Sequence, residues 1–308
     1  MFESAVNIVS VMFIMILMGF IFEKKGWFGK NAETVLSRVV LRVGMPGLAL
    51  SNIMTNYSRD MLLKSAPSLL VPFAVLGIAF LLSGVLVKWL DIPSWRQGVF
   101  RSLFTFGNSA FLGIPVCLAI FGEGVMPTVL LYYLANMLSW WLIGAPRVAR
   151  DSGAYVRNPL RRLASPPLVA VLASLALIML GVRLPKVVLT TAGYLGNLVT
   201  PLSMLFIGYM LSSMTKSGLK WQKGYSAVLL GRFVLGPLVC LPLCLAMGFP
   251  PQTLGVFFVQ SGMPSQTQTA LWAQEQRGDA QYAAGAIALS TVIGLAAIPI
   301  YVWFLGMI

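Results

Sequence analysis

Long apolar runs recur along the chain, parted by short polar connections. Ten can be marked, near residues 5–22, 34–54, 66–87, 98–120, 125–144, 165–182, 188–212, 225–247, 252–272 and 281–305. Runs of about 17 to 25 residues suffice to cross a hydrocarbon core of roughly 30 Å as a helix. A helix satisfies its own backbone hydrogen bonds, which an irregular lipid-facing segment cannot do. The pattern predicts an all-α polytopic membrane protein with ten transmembrane helices. The first run is expected to persist as a membrane helix. "MFES" supplies no basic n-region, and "EKKGWFGK" supplies no small-residue cleavage site after it.

Two runs are interrupted. "FGNSAFLGIPV", residues 106–116, sets Gly107, Asn108, Ser109, Gly113 and Pro115 inside the fourth. "VQSGMPSQTQT", residues 259–269, sets Gln260, Ser261, Gly262, Pro264, Ser265, Gln266, Thr267, Gln268 and Thr269 inside the ninth. Glycine and proline weaken or remove helical hydrogen bonds. One reading is that these residues only kink two helices. The other is that both helices are broken. Non-helical backbone at membrane depth is tolerated where protein buries it or where it lines a cavity.

The longest polar connection, "RVARDSGAYVRNPLRR", follows the fifth run at mid-chain. It divides the chain into a first repeat of five helices (1–146), a basic cytoplasmic linker (147–164) and a second repeat (165–308). At an offset of about 155, Pro46 meets Pro201, Glu123 meets Asp279, and Asn108 meets the "SGMPS" interruption. An odd number of crossings per half turns the second half upside down. The expected fold is thus a 5+5 inverted repeat with broken helices 4 and 9. Paired breaks in inverted halves mark a midplane binding site. Half-helix N-termini there offer free N–H groups and a positive dipole end, which suits an anion.

Composition sharpens this picture. Only 10% of the 308 residues are charged, against about 25% in soluble domains. The formal net charge of +13 would suggest nucleic acid in a soluble protein. Here the basic residues sit in loops, with no basic face interleaved with aromatics, so no nucleic-acid partner is expected. With the N-terminus outside, 14 of the 22 Lys and Arg residues fall in inside loops and 4 in outside loops. That split puts both termini outside and the central loop in the cytoplasm of a plasma (inner) membrane. Trp89, Trp95, Trp221, Tyr301 and Trp303 are read as interfacial anchors. Arg38, Arg42, Arg101 and Arg232 lie within helices; snorkelling to the surface is preferred over facing the path of an anion.

The chain has no His, and all nine acids lie in loops or at span ends. Proton relays and cation carriers usually need ionisable groups inside the membrane. Cys117, Cys240 and Cys244 lie in apolar runs and read as small core residues, not as a disulfide framework. No cofactor or metal is expected. Asn136 in the fifth run is either helix–helix glue or a partner of the broken fourth run. Ser51 and Asn52, beyond Pro46 in the second run, are further candidates.

"GNSAFLGIP" resembles the N-x-x-[FY]-x-G-x-P signature of the auxin efflux carrier family. "SGMPSQTQTALWAQEQRGDAQYAAGAIALST", "RVGMPGLAL" and "TPLSMLFIGYML" are similar to other regions of that family. The short central loop resembles the bacterial members. The resemblance implies a scaffold, a transport domain that moves as an elevator, and broken helices 4 and 9 that cross within it. It assigns Asn108 and Pro115 to the crossover motif, Asn136 to substrate contact and Pro264 to the second break. "SQTQT" stands where many members have a small-residue stretch with one Asn.

The expected function is a secondary carrier of small organic anions, either auxin-like monocarboxylates or dicarboxylates such as malate or malonate. The candidate site comprises Asn108, Ser109, Pro115, Asn136, Ser51, Asn52, Ser261, Pro264, Ser265, Gln266, Thr267 and Gln268. The expected partners are the anion and the lipid bilayer, with a homodimer as the assembly entertained. The alternative is a sodium- or proton-coupled organic-anion symporter of the bile-acid transporter type. An intramembrane enzyme lacks its usual residues here, and a receptor lacks an output domain.

Overall fold

The computed structural model describes residues 2–29, 31–56, 58–60, 66–151, 153, 166–213 and 221–307. Among them the secondary structure is helical, apart from one isolated antiparallel bridge between Gly107 and Ser265. The helices are α1 (Phe2–Lys24), α2 (Thr34–Asn56), α3 (Ala66–Trp89), α4 (Gln97–Thr105), α5 (Ser109–Phe121) and α6 (Glu123–Asp151). There follow α7 (Pro166–Met179), α8 (Lys186–Ser212), α9 (Tyr225–Ala246), α10 (Pro251–Ser261), α11 (Gln268–Glu275) and α12 (Ala280–Leu305). Six of the described helices, α2, α3, α6, α8, α9 and α12, are long and apolar enough to cross a membrane.

The fourth and ninth apolar runs are each two helices. The fourth is α4 and α5 around an extended Phe106, and the ninth is α10 and α11 around residues 262–267. Most of the basic linker lies outside the described residues. So do Lys30, Lys64, Arg157, Arg161, Arg162, Lys216 and Lys220, which the orientation argument used.

A recurrent local device shapes four helices. Five-residue π-helical turns cover Val40–Gly44, Ser109–Gly113, Trp140–Gly144 and Gly231–Leu235. Each ends two residues before a proline: Pro46, Pro115, Pro146 or Pro237. Proline has no N–H and its ring collides with the carbonyl four residues back. The chain responds by widening one turn, so that Met45, Ile114, Ala145 and Gly236 bond five residues back, to Val40, Ser109, Trp140 and Gly231. The carbonyl released by Pro237 belongs to Phe233 and accepts the Tyr301 hydroxyl at 2.8 Å. Pro115 therefore does not break the fourth run. The helix passes through it, and the break lies at residues 106–108.

The helices sort into two groups by what they pack against. α1 packs on α8, and α2 on α7 and α8. α3 packs on α4, α6 and α9, α10 on α9 and α6, α11 on α6 and α12, and α12 also reaches across to α1 of the first group. Close approach within the first group needs glycine. A Cβ on Gly208 of α8 would meet the backbone of Ile16, Gly19 and Phe20 in α1, and one on Gly47 the backbone of Ala192.

The surface roles of two residues differ from those expected. Tyr301 is only 7% exposed and spends its hydroxyl on Phe233, so it is no interfacial anchor. Trp89, Trp95, Trp221 and Trp303 are exposed, as anchors would be. Arg38 and Arg42 are exposed as well. Arg101 is held back against α3, its guanidinium over the Phe80 ring and bonded to Phe80 O and Ser83 Oγ. The cysteines are free and buried.

Candidate functional site

The two interruptions meet. Asn108 N donates to Pro264 O at 2.7 Å, and Gln266 N donates to Phe106 O at 3.1 Å. These two bonds flank the Gly107–Ser265 bridge and form a short antiparallel ladder in the interior. Buried backbone polar groups need partners, and here each break supplies the other's. Gly107 suits this close approach. A Cβ there would collide with the Arg232 guanidinium.

Side chains tie the ladder to its surroundings. Asn108 Oδ1 accepts from Phe111 N at 3.1 Å and so caps α5. Its Nδ2 donates to Thr267 Oγ1 at 3.2 Å. Asn136 projects from α6 and donates through Nδ2 to Gly107 O at 3.1 Å and to Gln266 Oε1 at 3.3 Å. Asn136 thus meets both breaks. Ser265 Oγ donates to Leu103 O at 2.8 Å, and Ser265 N donates to Ser290 Oγ.

A cavity of about 230 Å³ opens beside the ladder. Gly107, Asn108 and Ser109 line it from the first break, and Gln266, Thr267 and Gln268 from the second. Asn136, Tyr133, Met137 and Trp141 line it from α6. Ser37 and Leu41 of α2 close it from the other helix group, and exposed Glu275 stands at its rim. The N-terminal residues of α5 and α11 both border the cavity; Phe111 N is taken by Asn108 Oδ1, and Thr269 and Ala270 N by the carbonyls of Gln266 and Thr267. Ser109 Oγ, Asn136 Oδ1 and Gln266 Nε2 are buried without a hydrogen-bond partner. Such groups are costly to leave unpaired, so the cavity holds unspent hydrogen-bonding capacity of both signs. Behind Asn108 and Thr267 lies a void of only about 10 Å³ against α8 and α12. Their mutual bond forms the floor of the cavity.

Six of the twelve sequence candidates therefore line one cavity: Asn108, Ser109, Asn136, Gln266, Thr267 and Gln268. Ser261 ends α10, and Pro264 and Ser265 sit in the second break; all three bond backbone instead of lining the cavity. Pro115 lies buried within α5. Ser51 and Asn52 stand elsewhere on α2. Ser51 approaches Gly193 of α8, and Asn52 Oδ1 accepts from Asn56. The aromatic wall was not anticipated. Its residues follow helical spacing from the candidates: Tyr133 and Met137 flank Asn136, and Leu271 and Trp272 lie three and four residues past Gln268. Trp272 Nε1 donates to Ala145 O, and its ring meets Trp141 edge-on.

Arg232 contradicts the snorkelling expectation. It is 2% exposed, and its guanidinium sits behind the ladder. Nε donates to Met263 O and Nη2 to Ser261 O, each at 2.8 Å, and Nη1 donates to Thr105 O at 2.5 Å. An ion pair lies elsewhere, between Arg96 and Asp279 at 2.7 Å. No group of three or more His, Cys, Asp or Glu that could hold a metal ion occurs among the described residues.

Comparison with known proteins gives the family. The membrane transport protein family matches residues 4–302. An uncharacterized transporter of Methanocaldococcus jannaschii is 25% identical over 305 residues, 97% of this chain and 98% of its own length. An uncharacterized transporter of Methanothermobacter thermautotrophicus is 26% identical over 306 residues, 97% of each chain.

Proposed function

This chain belongs to the membrane transport protein family, the auxin efflux carrier family of the sequence resemblance, and from that premise we propose that it is a secondary carrier of small organic anions. The substrate sits in the cavity between the two breaks. The observation that carries this reading is the convergence of two helix N-termini and the amides of Asn108, Asn136 and Gln266 on one cavity. Fixed donors at helix N-termini favour an anion over a neutral or cationic ligand. The aromatic and aliphatic wall of Tyr133, Met137, Trp141 and Leu271 takes the body of the substrate. Carrier sites usually combine apolar walls with a few placed polar groups. A volume of about 230 Å³ favours a small mono- or dicarboxylate.

The ten crossings and their 5+5 inverted arrangement belong to the same proposal. The ladder supports them, since its two bonds are exchanged between the interrupted segments of the two halves. α4 with α5, and α10 with α11, then serve as the broken crossings 4 and 9 of the first (1–146) and second (165–308) repeats. The two helix groups are read as scaffold (α1, α2, α7, α8) and moving body (the rest), with the cavity at their boundary, as an elevator requires. Basic loops put both termini outside a plasma membrane. The rim at Glu275 then faces the cytoplasm, beside the loop at residues 276–279.

The test is solid-supported-membrane electrophysiology on the purified protein in liposomes. Monocarboxylates, malate and malonate would be applied with and without Na⁺ at two pH values. A current or counterflow specific to one acid supports the reading. Exchange no faster than in empty liposomes for every acid removes it.

A further inference from the structure

Two helices end where the breaks meet. α4 ends at Thr105 and α10 at Ser261. Each C-terminus carries unsatisfied carbonyls and the negative end of a helix dipole. α5 and α11 begin at the same place with their positive ends. Four dipole ends of opposing sign would largely cancel, leaving a crossover with little preference for charge. Arg232 breaks that balance. Its guanidinium takes the terminal carbonyl of α4 and that of α10, together with Met263 O in the second break. No carboxylate pairs with it among the described residues. Its charge therefore satisfies both negative ends and leaves the N-terminal ends of α5 and α11, capped only by neutral oxygens, as the helix ends beside the cavity. Gly107, a cavity-lining residue, lies directly against the guanidinium, so that a Cβ there would meet Nη2.

We propose that Arg232 is the specificity-determining charge of this carrier: a tethered cation that makes the crossover select anions and fills the carbonyl cage where a coupling metal ion would otherwise bind. The proposal rests on the organic-anion reading above. Carriers with broken helices coordinate Na⁺ with unwound backbone carbonyls and helix C-termini. In this chain those oxygens already hold a cation, and arginine stays protonated at any working pH. Anion binding is accordingly independent of Na⁺. A crossover loaded with a monoanion carries one positive and one negative charge, and the empty crossover carries the positive charge alone. One unit charge acting on another across about 8 Å at an effective dielectric of ~20 changes affinity roughly thirtyfold.

The experiment compares an acid with its neutral isostere: indole-3-acetate against indole-3-acetamide, and malonate against malonamide. Binding is measured with and without Na⁺ on wild type, Arg232→Lys and Arg232→Gln, after thermal unfolding has shown each to be folded. The expected wild-type result is a preference of about thirtyfold for the acid over its amide, unchanged by Na⁺. Arg232→Lys retains most of that preference, and Arg232→Gln reduces it to less than about threefold while still binding the amide. A merely structural role would lower affinity for acid and amide together. A folded Arg232→Gln with the full preference overturns the proposal. If neither variant folds, wild type decides: a Na⁺-independent preference supports the proposal, and a Na⁺ requirement or equal binding of acid and amide overturns it. Wild type that is folded but binds neither acid removes the anion-carrier reading itself, a different result from any of these.

Discussion

The two breaks meet as partners in one ladder, yet they are built differently. The first spends three residues, Phe106 to Asn108, and a single amide side chain. That amide is committed at both ends, capping α5 and bonding Thr267. The second spends six residues, 262–267, and brings Ser265, Gln266 and Thr267. Its Ser265 is consumed by Leu103 and Ser290, while Gln266 keeps Nε2 unpartnered. The first break is thus a fixed frame, and the second carries the adjustable chemistry. Substrate choice within a family sharing this frame should drift through residues 266–268 more than through Asn108.

Substitutions can break or sharpen that contrast. Asn108→Ala has the largest expected effect, because it removes the α5 cap and the floor bond together. A loss of about 30- to 100-fold in counterflow follows from a cap and a buried hydrogen bond, for every substrate alike. Gln266→Leu should change the ranking of substrates. The acid with the most oxygens should lose about tenfold and a monocarboxylate less, read from affinities across the panel. Equal losses across the panel would erase the distinction between frame and adjustable wall. Ser265→Ala removes a bond to a terminal carbonyl of α4. It should lower stability by about 1–2 kcal/mol, visible as a lower unfolding temperature in detergent with substrate ranking unchanged. Ser51→Ala and Asn52→Ala serve as controls. Both residues stand away from the cavity, so transport should stay within about twofold, as for substitutions away from such features.

The breaks were legible because glycine, proline and amides have few other reasons to cluster in an apolar run. Asn108 and Gln266 announced themselves in that way, whereas Asn136 stood alone in its run and was read either as helix–helix glue or as a partner of the fourth run. Pro115 and Pro264 looked alike in sequence and act differently. Pro264 follows Gly262 at the end of α10, where no helix resumes until Gln268. Pro115 follows a turn that could widen and keep the helix going. Arg232 was illegible for another reason. A lone arginine in an apolar helix reads as a snorkelling residue, since the three carbonyls that hold it are 127, 29 and 31 residues away in the chain. Nothing local marks a backbone oxygen as waiting for a cation. Tyr301 was misplaced similarly: its partner is a carbonyl set free by a proline 64 positions earlier in the chain.

Each widened turn holds one residue more than an α-helix would use over the same rise. The residues beyond it are consequently rotated by about 100° relative to an uninterrupted helix. In α2, α5, α6 and α9 the inward-facing register therefore shifts by one at the Gly-x-Pro or Leu-Gly-Pro triplet. Relatives that lack the proline can keep the same faces inward only by dropping one residue near the same point. Single-residue gaps in an alignment of these chains should accordingly collect beside residues 40–44, 109–113, 140–144 and 231–235. An aligner that penalises gaps inside helices would misassign the buried face of half of each helix.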